Sequence, residues 1–231
     1  HYSSRAAALA TTPAGQVLVA GGAEGFDQAT LSALGPDGQP DPGFGAGGVV
    51  AEPEPLPSTT EAGGLAIEPA GGIIASATSN VGVYGQRSLL LGWNPHGVPW
   101  QGFGSGAGIG EGGTGSQTRV DGRGRLYQVY EGYGRRHYVL RFDVAGRPDG
   151  GYGDAGKGLL PRGFQVEALI VRKNGAALVV GRIAKRNPMA LFELNPAGRA
   201  DRRFGQRALV LVGWGKGVKA GVHSAAFDRR G

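Results

Sequence analysis

Four times along the chain an aromatic residue followed by glycine stands six positions beyond a turn glycine. The pairs are Phe44-Gly45 after Gly38, Phe103-Gly104 after Gly97, Tyr152-Gly153 after Gly146 and Phe204-Gly205 after Gly198. With 8% aromatic residues and 46 glycines among 231, one such pair has a chance of roughly 0.016. Three further coincidences at one offset come to about 4 × 10⁻⁶, too rare for composition alone. The chain is a tandem repeat, and a glycine content that would otherwise read as low complexity becomes a set of recurring turns.

Two turn motifs alternate. The first ends at Gly15, Gly71, Gly124, Gly175 and Gly231, with spacings of 56, 53, 51 and 56 residues; the second ends at Gly38, Gly97, Gly146 and Gly198 and follows the first by 23, 26, 22 and 23 residues. Glycine reaches φ > 0 without steric cost, and the Pro, Asp or Asn residues ahead of it pre-shape the bend. Each unit between the turns reads as β. Ahead of the second turn, Leu34, Trp93, Phe142 and Leu194 alternate with Ala33, Gly92, Arg141 and Glu193, a period of two with one face buried. After the first turn come the short apolar runs Val17–Val19, Ile73–Ala75, Leu126–Tyr127 and Leu178–Val180, while Ala7–Ala10, Leu65–Ile67 and Ala168–Val171 supply a strand before it. No stretch carries a capped 3.6-residue apolar period, so almost no helix is expected.

Four strands in about 50 residues is the size of one propeller blade. The expected fold is all-β: a β-propeller of four-stranded antiparallel blades, four complete repeats plus the start of a fifth. The blades fall at approximately 1–55, 56–112, 113–162 and 163–214, with 215–231 beginning a further one. Phe44, Phe103, Tyr152 and Phe204 are expected to plug the gaps between neighbouring sheets, all four largely buried. An Asp three residues past the second-turn glycine (Asp41, Asp149, Asp201) is placed to bond backbone N–H groups of the following loop; Trp100 breaks that pattern in the second unit.

The turn–Asp–Phe-Gly segments at 34–50, 94–108 and 194–205, paired with the segment at 11–22, resemble the delta-60 repeat of bacterial secreted and surface proteins. The resemblance covers essentially the whole chain and departs from it at Tyr152, where Phe is usual. It implies a propeller-like array in an extracellular or cell-surface protein, of uncharacterised biochemical function, and it supplies no catalytic residues. Both ends of the chain carry the same kind of strand, which suggests an excerpt of a longer array.

Chemistry-bearing patterns are scarce. There is no cysteine, which excludes disulfides and thiolate-held metals. The four histidines, His1, His96, His137 and His223, form no H-x-H or HExxH pattern, and no G-x-S-x-G elbow occurs. The Gly-rich run 104–115 lacks the Lys-Ser/Thr pair and the following helix that a phosphate site needs, and Asp41, Asp149 and Asp201 are single carboxylates without calcium-loop spacing. No cofactor, metal or catalytic residue is therefore expected, and no apolar run is long enough to span a bilayer.

Charge is uneven. Residues 1–114 carry two basic side chains against nine acidic (2 − 9 = −7), and residues 115–231 carry 22 against nine (22 − 9 = +13). The segment 127–138 interleaves aromatics with arginines, a pattern able to stack on sugars or bases while pairing with anions. Tyr130, Tyr133, Arg135 and Arg136 are the candidate ligand-binding residues, with Lys185 and Arg186 on the equivalent hairpin of the next unit. The expected function is a non-catalytic binding or scaffold module, not an enzyme, with a protein or glycan partner rather than nucleic acid. Two rivals stand beside it: a propeller enzyme of lyase or glycosidase type with a central-channel site, and a polyanion-binding module working through the basic half.

Overall fold

A computed structural model describes residues 4–23, 26–51, 60–80, 86–100, 103, 116–132, 136–183, 189–213 and 225. Its strands form four antiparallel sheets, each a meander in chain order. The first contains β1 (Ser4–Thr11), β2 (Val17–Ala23), β3 (Phe26–Leu34) and β4 (Val49–Ala51); the second contains β5 (Thr60–Ile67), β6 (Ile73–Asn80) and β7 (Gln86–Trp93). In the third, β8 (Ser116–Val120), β9 (Leu126–Gly132), β10 (Arg136–Phe142) and β11 (Lys157–Leu159) follow one another. The fourth has β12 (Phe164–Val171), β13 (Ala177–Ile183), β14 (Met189–Leu194) and β15 (Leu209–Val212). No helix occurs among the described residues. The fold is all-β and β-propeller-like. The second sheet has three strands among the described residues, the place expected for its fourth (104–115) lying outside them, as does the anticipated start of a fifth unit at 215–231 except for Ala225.

The chain divides into two compact units, residues 1–118 with 145–147 and residues 119–144 with 148–231. In the first unit, Leu18, Leu31, Ala33 and Phe44 of the first sheet pack against Leu65, Ile73, Ala75 and Trp93 of the second. In the second unit, Tyr127, Val129, Val139 and Tyr152 of the third sheet meet Leu169, Ala177, Val179 and Leu194 of the fourth. Within each unit, then, the earlier sheet presents an outgoing face and the later sheet an incoming face to their contact.

The repeat motif builds the same loop each time. The residue three past the second-turn glycine donates its N–H back to the alternating strand position: Asp41 to Ala33 O at 2.9 Å, Trp100 to Gly92 O at 2.8 Å, and Asp149 to Arg141 O and Asp201 to Glu193 O, both at 2.9 Å. The aromatic N–H then bonds the carbonyl three residues before it, at 3.1 Å for Phe44, Phe103 and Tyr152 and 2.9 Å for Phe204. The aspartate side chains close an Asx turn, Asp41 Oδ1 accepting from Gly43 N at 2.8 Å, Asp149 Oδ1 from Gly151 N at 3.0 Å and Asp201 Oδ1 from Arg203 N at 3.1 Å.

This loop is a latch between sheets. Phe44 lies on Gly97, the turn glycine of the second sheet, where an added Cβ would come within 3.0 Å of the ring; the neighbouring Gly45 N–H donates to His96 O at 3.0 Å. Tyr152 lies on Gly198 of the fourth sheet in the same manner, within 2.8 Å of such a Cβ, and Gly153 N–H donates to Ala197 O at 2.7 Å. Gly97 and Gly198 also need φ near +79°. Only glycine satisfies the turn and leaves room for the ring.

Phe44 and Tyr152 are fully buried, whereas Phe103 and Phe204 keep part of their surface exposed, so the four expected plugs are not equally deep. Phe103 lies over Gly92 of its own sheet and tilts against Trp100 at a centroid distance of 5.3 Å. Phe204 sits at the rim of a cluster with Leu178, Val180 and Ala225 on the fourth sheet.

Removing a sealed aromatic leaves a large void. Phe44→Ala and Tyr152→Ala are each expected to lower stability by about 3–5 kcal/mol, with Phe204→Ala well below that range. Urea unfolding followed by circular dichroism gives all three values, and equal losses at positions 44 and 204 would refute the latch.

Candidate functional site

The repeats serve as their own controls. Four structurally equivalent positions line the turn end of each outgoing face. In the first sheet they are Thr12, Gln16, Leu18 and Ala33; in the second, Glu68, Gly72, Ile74 and Gly92; in the fourth, Arg172, Ala176, Leu178 and Glu193. The third sheet has Asp121, Arg125, Tyr127 and Arg141 there, and it also carries Asp149 and replaces the usual phenylalanine with Tyr152. Strand pairing puts Tyr127 opposite Arg141 as it puts Leu18 opposite Ala33, so these two polar groups stand where the first two sheets have Leu18 and Ala33, and Ile74 and Gly92.

The result is one connected network between the third and fourth sheets. Asp121, whose side chain is fully buried, accepts at Oδ1 from the N–H groups of Arg123 (2.9 Å) and Arg125 (3.0 Å). Its Oδ2 receives Arg125 Nε at 2.7 Å, Arg125 Nη2 at 2.7 Å and the Tyr127 hydroxyl at 3.2 Å. Arg141 donates from Nε to Asp149 Oδ2 at 2.8 Å and from Nη1 to the Pro196 carbonyl of the next sheet at 2.6 Å, and its guanidinium sits 4.6 Å above the Tyr152 ring. Tyr127 and Tyr152 meet edge to face at 5.7 Å. Gly175, the turn glycine between β12 and β13, forms the floor: an added Cβ would lie 2.5 Å from Arg125 Nη2 and 2.6 Å from the Tyr127 oxygen.

Burial raises the Tyr127 and Tyr152 hydroxyl pKa values above the ordinary phenol range, and Arg141 offsets only part of that effect. Both tyrosines are therefore neutral donors at pH 7. The Tyr152 hydroxyl is buried without a hydrogen-bond partner. Arg125, one-fifth exposed, and Asp149, about one-quarter exposed, are the members that reach solvent. A carboxylate entering from that side would meet the Arg125 guanidinium first, with the Tyr127 proton behind it.

The residues singled out on the aromatic–arginine hairpin fare differently. Tyr130 is 1% exposed and its ring stacks on Tyr138 at 4.9 Å, which corrects its assignment as an open stacking platform. Arg136 is exposed; Tyr133, Arg135, Lys185 and Arg186 lie outside the described residues. Tyr138 is half-buried, with Lys157 Nζ 5.4 Å from its ring centre, and its pKa is pushed up to about 12 by burial and then by Tyr130. Among the described residues no group of three or more His, Asp or Glu side chains could hold a metal. Sequence reading missed the Asp121–Arg125–Tyr127–Arg141 network, although aligning the four repeats position by position reveals it.

No family model matches the chain, and no curated protein does so either. Among solved structures, a protein of unknown function from Dyadobacter fermentans is similar at a TM-score of 0.53, with 12% identity over 86% of this chain and 67% of that one. An exo-β-1,3-galactanase from Clostridium thermocellum is similar at 0.47, with 11% identity over 81% of this chain and 44% of its own. A candidate gluconolactonase follows at 0.42, with 17% identity over 76% and 55%; this chain thus spans about half the length of either. The expectation of a non-catalytic module, and of a chain that is not an enzyme, is corrected on this finding, since those of the three with a named activity are propeller enzymes. At such identities the likeness concerns the fold, and the substrates of those enzymes remain their own.

Two measurements probe the site. Tyr152→Phe removes a buried hydroxyl that has no partner and is expected to raise stability by about 1 kcal/mol, whereas Gly175→Ala lowers it by more than about 1 kcal/mol because φ is +91° and the network occupies the space. Tyr138 ionises near pH 10 when unfolded and near 12 when folded, so its contribution is complete below pH 10 and is lost as pH rises through 12. Tyr138→Phe should flatten the fall in stability across that interval in alkaline unfolding curves.

Proposed function

We propose that the chain is part of a β-propeller enzyme acting on acidic glycans, of lyase or glycosidase type, with its chemistry in the polar network between the third and fourth sheets. The observation that carries this reading is that the third sheet alone fills all four equivalent positions with ionisable side chains, whereas the fourth has only Arg172 and Glu193 there, 3.7 Å apart, and the first has none. A frame needing only stability would repeat Leu18 and Ala33 at the positions held by Tyr127 and Arg141. Buried ion pairs are seldom more stabilising than apolar side chains of similar volume, and clustered ionisable groups with shifted pKa values are typical of functional sites.

The division of labour follows from position. Arg125, at the solvent side, pairs with a substrate carboxylate and draws away from Asp121 as it does so. Released from Arg125, the Asp121 carboxylate is the group that accepts a proton from the substrate, and Tyr127, neutral at pH 7, turns its hydroxyl from Asp121 to the leaving oxygen and donates its proton there. Arg141, fixed by Asp149 and Pro196 O, supplies positive charge to the anion that develops. Acidic substrates also suit the exposed arginines Arg199, Arg202, Arg203 and Arg207 on the loop before β15, which raise the local concentration of anions. An extracellular or surface location, and a repeat of the delta-60 kind, accord with such a substrate.

The test uses polygalacturonate, alginate and chondroitin sulfate, with absorbance near the ultraviolet edge reading the double bond left by elimination and a reducing-end assay reading hydrolysis. Tyr127→Phe and Arg125→Ala are expected to lower either activity at least about 100-fold with the fold intact. Absence of both products from all three polymers, or full activity in Tyr127→Phe, sinks the proposal.

A further inference from the structure

The fourth repeat is charged where the other three are not. Its latch loop, residues 199–207, carries four arginines and one aspartate (4 − 1 = +3), whereas the equivalent stretches 39–47, 98–106 and 147–155 carry 0 − 1 = −1, 0 and 1 − 2 = −1. The loop needs none of these charges. Its defining backbone bonds, from the N–H of Asp41, Trp100, Asp149 and Asp201 and from the four aromatics, are the same in every repeat. Arg207 even stands against its own preference: its φ is +55°, a left-handed position that Gly47 holds in the first repeat at +65° and that side chains other than glycine seldom adopt.

The cations are not spent on neighbouring carboxylates. Asp201 is paired with Arg203 at 3.1 Å, and the buried Glu193 with Arg172 at 3.7 Å. Arg199, Arg202 and Arg207 are exposed and form no ion pair among the described residues. The loop also begins at the polar network, because the turn ahead of it offers Pro196 O to Arg141 at 2.6 Å and Ala197 O to the Gly153 N–H at 2.7 Å. At the same end of the strands the first turns of the third and fourth sheets are joined, Gly122 N–H donating to Lys173 O at 3.1 Å. That bond brings the exposed Arg123 and Lys173 to one edge, where the first two repeats have Ala14 and Ala70, and Pro13 and Pro69.

We propose that this turn edge, from Arg123 and Lys173 to the arginines of residues 199–207, is a binding ridge for a linear acidic polysaccharide, holding the chain beyond the sugar at the network. The ridge rests on the acidic-glycan reading for the class of its ligand and not on the chemistry at Tyr127. Like charges spread along a loop and two turns do not converge on one small anion; they match anions repeated along a polymer. Arginine forks take a carboxylate or a sulfate through two bonds at once. A nucleic acid strand would ask for stacking platforms, and the loop's one aromatic, Phe204, is packed with Leu178 and Val180.

Isothermal titration calorimetry with polygalacturonate and chondroitin sulfate, at about 50 and 200 mM salt, reads the binding in a Tyr127→Phe background, so that no chain is cut. At least one polymer should bind, more weakly at the higher salt, and at least about tenfold more tightly than its own trimer. Combining Arg199→Gln, Arg202→Gln and Arg207→Gly installs residues that other repeats hold there (Gln39, Gln101 and Gly47). That variant should keep the β circular dichroism spectrum and bind at least about tenfold more weakly. Arg162→Gln removes a cation at the opposite end of the fourth sheet's strands and should leave affinity within about twofold. Binding by a chain that cleaves neither polymer supports the ridge and counts only against the catalytic reading. No binding of either polymer, an unchanged affinity in the triple variant, an equal loss in Arg162→Gln, or tighter binding of a DNA duplex in the same buffer would each overturn the ridge.

Discussion

An aromatic ring laid on a bare backbone couples one sheet to the next. A meandering sheet can satisfy its own hydrogen bonds, but its two apolar faces remain exposed until another sheet covers them. Hydrophobic cover alone is non-directional and would let adjacent sheets slide. Phe44 on Gly97 and Tyr152 on Gly198 remove that freedom, because a ring fits only where the Cβ is missing, and the adjoining N–H finds its carbonyl at 3.0 and 2.7 Å only in that register. The glycine after each aromatic is equally constrained. Gly45 and Gly153 have φ of +53° and +61°, and an added Cβ would collide with the carbonyl of Val49 or Lys157.

That coupling makes each sheet's outgoing face expensive to alter, which gives the third sheet its interest. The network of Asp121, Arg125, Tyr127, Arg141 and Asp149 occupies space that Leu18 and Ala33 fill in the first sheet, and it needs Gly175 as floor and Pro196 O as acceptor from the fourth. Every ionised member is paired within the sheet, so the site is stable without a ligand. The exception is the Tyr152 hydroxyl, buried with no partner in a position where three other repeats use phenylalanine. A polar atom kept at such a cost, in a latch that works without it, is easier to explain by what binds nearby than by folding.

Most of the frame was legible in the sequence because it is periodic. Turn glycines, the alternation at Ala33–Leu34 and its equivalents, and the aromatic at offset six repeat often enough to be separated from chance. What was hidden depends on pairs distant in sequence. Trp100, which breaks the aspartate pattern, is accommodated by Gly72 and Gly92, where a side chain would strike its ring; in the first sheet the same place holds a Gln16–Asp41 hydrogen bond of 2.6 Å. Tyr130 looks like a surface aromatic in a run with arginines, but pairing opposite Tyr138 turns its ring into the buried face. The polar network was missed for a related reason: its members are spread over residues 121–149 and share no local motif, and only strand register brings them to one face.

Register also carries a feature that no residue pattern announces. The first strands of three sheets, β1, β5 and β12, each slip by one residue against the second strand, between Ala6 and Ala8, Ala62 and Gly64, and Val166 and Ala168. Each slip falls eight residues before the first-turn glycine, so the bulge is as much a part of the repeat as the wedge. A bulge bends its strand and turns one side chain out of the alternation. Ala7 and Gly63 have almost nothing to turn, whereas the fourth sheet places Glu167 there, joined to Arg182 at 2.6 Å. The frame thus offers the same re-aimed position in each of these units and leaves it nearly blank in two of them. Together with the third sheet's polar face, this shows how a repetitive scaffold separates its tasks: the wedge and turn positions hold the sheets in register, and individual copies vary only where a change of side chain leaves that register untouched.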